Sequence, residues 1–77
     1  MNLKEFIEKF AYQFDETPID DIEAETVYED LEEWSSLIAL SVIAMVDQEY
    51  NVGIGAKEII ESITVEGLFN TIKQLRQ

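Results

Sequence analysis

From Ser36 to Tyr50 the chain reads SLIALSVIAMVDQEY, with no glycine or proline and no charge before Asp47. Such a run predicts one long helix opening at Ser35 or Ser36 and ending near Tyr50, since serine is a favoured residue at a helix start. Ala39, Val42, Ile43, Val46 and Tyr50 make its most consistent inward stripe. Leu37, Ile38, Leu40 and Met45 fall on other faces, so the helix is apolar nearly all round. In water it must either run through the centre of a bundle or keep one face for a partner. Both arrangements stand at this point.

The neighbours that could surround it are short. Leu3, Phe6, Ile7, Phe10 and Phe14 recur at three- and four-residue steps, predicting an amphipathic helix over Leu3–Phe14 with Asn2 as its cap and Glu5 three residues on. Thr17-Pro18 stops it, because a residue before proline avoids the α region. Asn51-Val52-Gly53 ends the long helix. AKEIIE predicts a short helix over Ala56–Glu61 with Ile59 and Ile60 inward. Thr64 then caps a last helix whose stripe is Val65, Leu68, Phe69, Ile72 and Leu75, with Gly67 a weak point near its start. Lys73 and Arg76 in its final turn suit the helix dipole.

Between the first and second helices, Asp15 to Trp34 is a long acidic loop, an unusual feature inside a compact domain and often a functional one. Ile19, Ile22, Val27, Tyr28 and Leu31 are spaced as anchors to a core, with a short helical turn expected within Ile19–Glu25. The expected architecture is all-α: one domain over residues 1–77, a small four-helix up-down bundle of three longer helices and one short helix.

Composition removes several functions. The 77 residues include no cysteine and no histidine. That excludes a disulfide framework, a Cys/His zinc site, a histidine base and a cysteine nucleophile. Seventeen acidic against 5 basic residues leave a net charge of −12. Residues 1–33 hold 12 acidic and 2 basic side chains, residues 34–77 only 5 and 3. Nucleic acid would be repelled, and partners with basic patches are expected. The longest nearly apolar stretch, Leu37 to Val46, is too short to span a bilayer, and the N-terminus lacks a signal peptide's apolar run, so a soluble cytoplasmic monomer is expected. Asp20-Asp21, Glu29-Asp30 and Glu32-Glu33 lie in a solvated loop with no cleft to separate their pKa values, which argues against a glycosidase-like acid/base pair. The loop also lacks EF-hand spacing and has no glycine. No specific metal site and no catalytic residue is expected.

The stretch Leu31-Glu32-Glu33-Trp34-Ser35-Ser36-Leu37, opening a long apolar helix, resembles the prosthetic-group site of acyl carrier proteins. The resemblance extends to the length, the acidity, the helix order, the long first loop, the short third helix and the Ile63-Thr64-Val65 lead into the last helix. It implies that Ser36, the serine directly followed by leucine, carries a 4′-phosphopantetheine arm taken from coenzyme A, which holds acyl groups as thioesters. The implied partners are a phosphopantetheinyl transferase and the acyl-transferring and chain-elongating enzymes of fatty acid, polyketide or related pathways. The resemblance also implies that the core shelters an acyl chain, with Val42, Ile43, Val46, Phe6 and Leu68 as linings. Peptidyl and D-alanyl carriers share this architecture, and an acidic adaptor that keeps the fold without the arm is the rival from another class.

Two departures stand out. The family pattern is Asp-Ser-Leu, whereas this chain has Ser35-Ser36-Leu37, which leaves Glu32 or Glu33 to replace a carboxylate that assists the metal-dependent transferase. The family's second helix also carries carboxylates toward partners, while here only Asp47 and Glu49 are charged, near its end. Recognition by basic patches is expected to weaken there or to move to the acidic loop.

Overall fold

A computed structural model describes residues 1–76. Four helices form an all-α bundle: α1 (Leu3–Ala11), α2 (Ser36–Tyr50), α3 (Ala56–Ser62) and α4 (Val65–Arg76). α1 packs on α2 and α4, α2 on α4, and α3 mainly on α4. The core is built from Phe6 and Phe10 of α1, Val42 and Val46 of α2, Ile59 of α3, and Val65, Leu68 and Ile72 of α4. The loop adds Ile22 and Tyr28, and the α2–α3 connection adds Val52 and Ile54.

α1 starts as its sequence predicts, with Asn2 Oδ1 accepting from the Glu5 amide at 3.1 Å. It ends three residues before Phe14. The amides of Gln13 and Phe14 donate to the carbonyls three residues back, at 3.1 and 3.0 Å, so the last turn tightens and still carries Phe14 into the core. α2 runs from Ser36 to Tyr50 and stops at Asn51 in the left-handed conformation (φ 57°, ψ 40°), which asparagine tolerates. Its inward stripe is rotated from the expected one. Ile38 and Met45 are buried beside Val42, Val46 and Tyr50, while Ala39 and Ile43 are only partly covered. An all-round apolar helix offers several nearly equivalent stripes, and its neighbours choose among them.

The long loop holds two 3₁₀ turns, Ile19–Asp21 and Tyr28–Asp30, where the sequence predicted only the first. Two expected anchors fail. Ile19 opens a turn straight after Pro18 and is exposed, leaving Ile22 to enter the core. Val27 pairs its backbone with Thr64 and points outward, so that Tyr28 points inward. Ile60 is likewise exposed, because the one inward position of short α3 is taken by Ile59. Leu75, beside the Asn51–Gly53 connection, is half-exposed.

The α3–α4 corner is unusually tight. Ile63 sits at φ 71°, ψ −57°, and the Thr64 amide donates to the Ser62 carbonyl at 2.7 Å, closing a γ-turn. A β-branched residue at positive φ costs about 1–3 kcal/mol and persists only where the surroundings over-determine it. Here Val65 and Glu66 donate their amides to the loop carbonyls of Thr26 (3.1 Å) and Ala24 (2.9 Å). Ser62 and Thr71 share a hydroxyl hydrogen bond at 2.8 Å. Gly67 is required by this geometry, since a Cβ there would lie 2.1 Å from the Ser62 carbonyl oxygen. Alanine in a helix ordinarily stabilises by about 1 kcal/mol relative to glycine. Gly67→Ala is expected to reverse that sign and destabilise by about 1–3 kcal/mol, as overpacking against backbone does. A raised urea midpoint for the variant would mean that the corner opens freely.

Candidate functional site

The acceptor site predicted from sequence lies where α2 leaves the loop. Ser35 is the residue that caps the helix: its backbone is extended (φ −156°, ψ 172°) and its Oγ accepts from the Ile38 amide at 3.3 Å. Ser36 is therefore the first helical residue. It is exposed, and its hydroxyl has no partner among the described residues. The amides of Ser36 and Leu37 precede the first intrahelical bond, from Ala39 to the Ser35 carbonyl at 2.9 Å, and have no partner among the described residues, as suits an anion.

The segment leading into Ser36 is held on two sides. On the inner side, the Trp34 ring stacks on Phe10 (centroids 6.3 Å apart, planes 10° apart) and lies 4.9 Å from the Tyr28 ring. Tyr28 is fully buried, donates its hydroxyl to the Ile59 carbonyl, and so ties the loop to α3. Burial pushes that hydroxyl up to about 12.

On the outer side is Glu33. Its Oε2 accepts from the Asp15 amide at 2.7 Å. Its Oε1 accepts from the amides of Glu16 (3.0 Å) and Thr17 (2.8 Å) and from the Thr17 hydroxyl at 2.7 Å. Three consecutive amides turned toward one carboxylate form an anion-holding nest. The Thr17 hydroxyl above all, then the three amides, hold this carboxyl at about 2.

Of the two acids proposed to replace the missing aspartate, Glu33 is thus committed inside the molecule. Glu32 is exposed, and its carboxylate has no partner among the described residues. The sequence offered no signal for the clamp, since Glu33 is one acidic residue among 17. Nor does it single out Tyr28 as the loop's deepest anchor.

The clamp has a pH signature. The folded carboxyl lies at about 2 against an ordinary 4.5. Its stabilising contribution is therefore complete above the ordinary value and is lost as pH falls from there toward the folded value. Protonating the remaining carboxylates relieves self-repulsion and acts in the opposite sense. The informative quantity is the wild-type urea midpoint minus that of Glu33→Gln. This difference is expected to be positive and flat near neutrality and to shrink through the acid range. A difference independent of pH would mean that the charge of Glu33 adds nothing.

Beyond Ser36, the first turns of α2 expose two leucines. Leu37 is 72% and Leu40 62% exposed, and α2 carries no charge before Asp47. Phe6, Val42, Val46 and Leu68 are fully buried, and Ile43 packs on them partly covered. Among the described residues no helix is long and apolar enough to cross a membrane, and no three carboxylates converge as a metal site. Comparisons with family models, curated proteins and solved structures give no match.

Proposed function

We propose that the chain is an acyl carrier whose Ser36 bears a 4′-phosphopantetheine arm, and that it delivers acyl intermediates to biosynthetic enzymes rather than catalysing a reaction itself. The observation that carries this reading is the division of labour between the two serines. Ser35 spends its side chain on the helix cap, while Ser36 stands exposed and unbonded at the helix start. The resemblance of the surrounding stretch to carrier domains gives that arrangement its meaning.

The residues present fit the group. The arm, when bound, supplies a thiol on which acyl groups ride as thioesters. The free amides of Ser36 and Leu37, with the positive end of α2, favour the phosphodiester that would join the arm to Ser36. A rigid helix start presents the hydroxyl to a transferase, and the Trp34 stack keeps the start in place. Leu37 and Leu40, exposed beside Ser36, favour apolar contact with partners at close range. The carboxylates of residues 15–33 steer encounter with basic surfaces, an effect that salt weakens.

The test is intact mass after incubation with coenzyme A, magnesium and a broad-specificity phosphopantetheinyl transferase. One phosphopantetheine per chain is the expected result. A folded chain that gains nothing, beside a control carrier that does, would favour the adaptor without an arm.

A further inference from the structure

We propose that Glu33 is a positioning residue for the modification of Ser36: by binding the backbone of residues 15–17 it sets the path on which the chain enters α2. The proposal rests on the carrier reading above.

Glu33 is three residues before Ser36, and its partners at Asp15, Glu16 and Thr17 begin the loop that Glu33 ends. One side chain thus closes the acidic loop at its neck. Among the described residues, no other side chain spans the neck with hydrogen bonds. Trp34 is anchored by ring contacts, which fix its location but tolerate sliding. The clamp adds four directional bonds, three of them to backbone amides just beyond the last turn of α1. Only Trp34 and Ser35 separate the clamp from the acceptor, so a change at Glu33 reaches Ser36 directly. A misplacement of about 1 Å at a reacting group can cost about a hundredfold in rate, so the clamp has leverage on transfer.

The competing role for Glu33 is direct help to the transferase's metal, in place of the missing aspartate. The two roles differ at Thr17. A clamp needs the Thr17 hydroxyl, which supplies one of the short bonds at 2.7 Å. A metal-assisting carboxylate does not.

Wild type, Glu33→Ala, Thr17→Val, the double variant and Glu32→Ala would be compared for the rate of phosphopantetheine transfer well below their melting temperatures. Amide hydrogen exchange would be read on the unmodified proteins. Glu33→Ala is expected to lower kcat/KM about tenfold or more. Thr17→Val should give a smaller loss of the same kind, and the double variant should be no worse than Glu33→Ala. The amides of residues 15–17 should exchange fast in Glu33→Ala while those of residues 42–46 keep their protection. Unchanged transfer with freely exchanging 15–17 amides would overturn the proposal. So would a loss in Glu33→Ala with Thr17→Val at the wild-type rate, which would instead make Glu33 a direct contact. An unmodified wild type would sink the carrier reading and this proposal together, whereas equal rates in wild type and Glu33→Ala would sink the proposal alone.

Discussion

Ser36→Ala is expected to abolish uptake of phosphopantetheine while leaving the fold intact, and Ser35→Ala is expected to do the reverse. Ser36 is exposed, and its hydroxyl has no partner among the described residues, so alanine there removes the acceptor oxygen and no stabilising bond. Alanine is also a good helix former at a helical position. The urea midpoint should therefore stay within about 0.5 kcal/mol of wild type, as for ordinary surface changes. Ser35 supplies the cap bond to the Ile38 amide. Loss of a serine cap costs about 1 kcal/mol, so Ser35→Ala should be measurably less stable yet still accept the arm at Ser36. Intact mass and urea unfolding on the same two variants separate the roles. Modification of Ser36→Ala would move the acceptor to Ser35 and overturn the division between them.

If that division holds, the two departures from the carrier pattern become interpretable. The position before the acceptor is a serine that caps, so the carboxylate usually found there is absent from the helix start. Glu33 is occupied by the loop, and Glu32 is the nearest acid left without a partner. The α2 surface offers exposed leucines where carboxylates would otherwise meet a partner. On the proposed reading, encounter and contact would fall to different regions: charge on the loop, apolar surface on the helix.

The helices were legible because their signals are local. Caps at Asn2, Ser35 and Thr64 act within three residues, and each is present, with the Gly67 amide donating to Thr64 Oγ1 at 2.9 Å. What escaped depends on contacts far apart in sequence. The inward face of α2 is legible only in part, Val42, Val46 and Tyr50 being buried as expected but Ile38 and Met45 rather than Ala39 and Ile43, because its pattern barely distinguishes one face from another. Ile60 beside Ile59, and Val27 beside Tyr28, are pairs in which only one member can face the core, and composition does not choose between them. Val52, in the stretch expected only to end α2, is buried together with Ile54, because the α2–α3 connection packs on the core. The place of Ser36 at a helix start was legible for the same local reason. The Glu33 clamp, spanning residues 15–33, was not, since nothing local marks a carboxylate that binds backbone so distant in sequence.

Phe10→Ala should remove a large share of the domain's stability. Phe10 is fully buried and joins rings of α1 and its last turn to rings of the loop: Phe6 at 6.2 Å, Phe14 at 5.6 Å, Tyr28 at 5.6 Å and Trp34 at 6.3 Å. Emptying such a site costs about 3–5 kcal/mol, through lost burial and the cavity left behind. A domain of 77 residues has a total stability on the order of 4–12 kcal/mol, so the loss takes about a quarter or more of it. The damage would also reach the start of α2, because Trp34 would lose its stacking partner just before Ser35 and Ser36. The chain contains one tryptophan, so its fluorescence reads that environment without ambiguity. A large fall in urea midpoint, with emission shifted to the red before global unfolding, is the expected result. Leu75→Ala, made at a half-exposed position, serves as the control and should change the midpoint by about 0.5 kcal/mol or less. A Phe10→Ala midpoint as small in its change as the control's would mean that the ring cluster closes over the gap and does not hold the site.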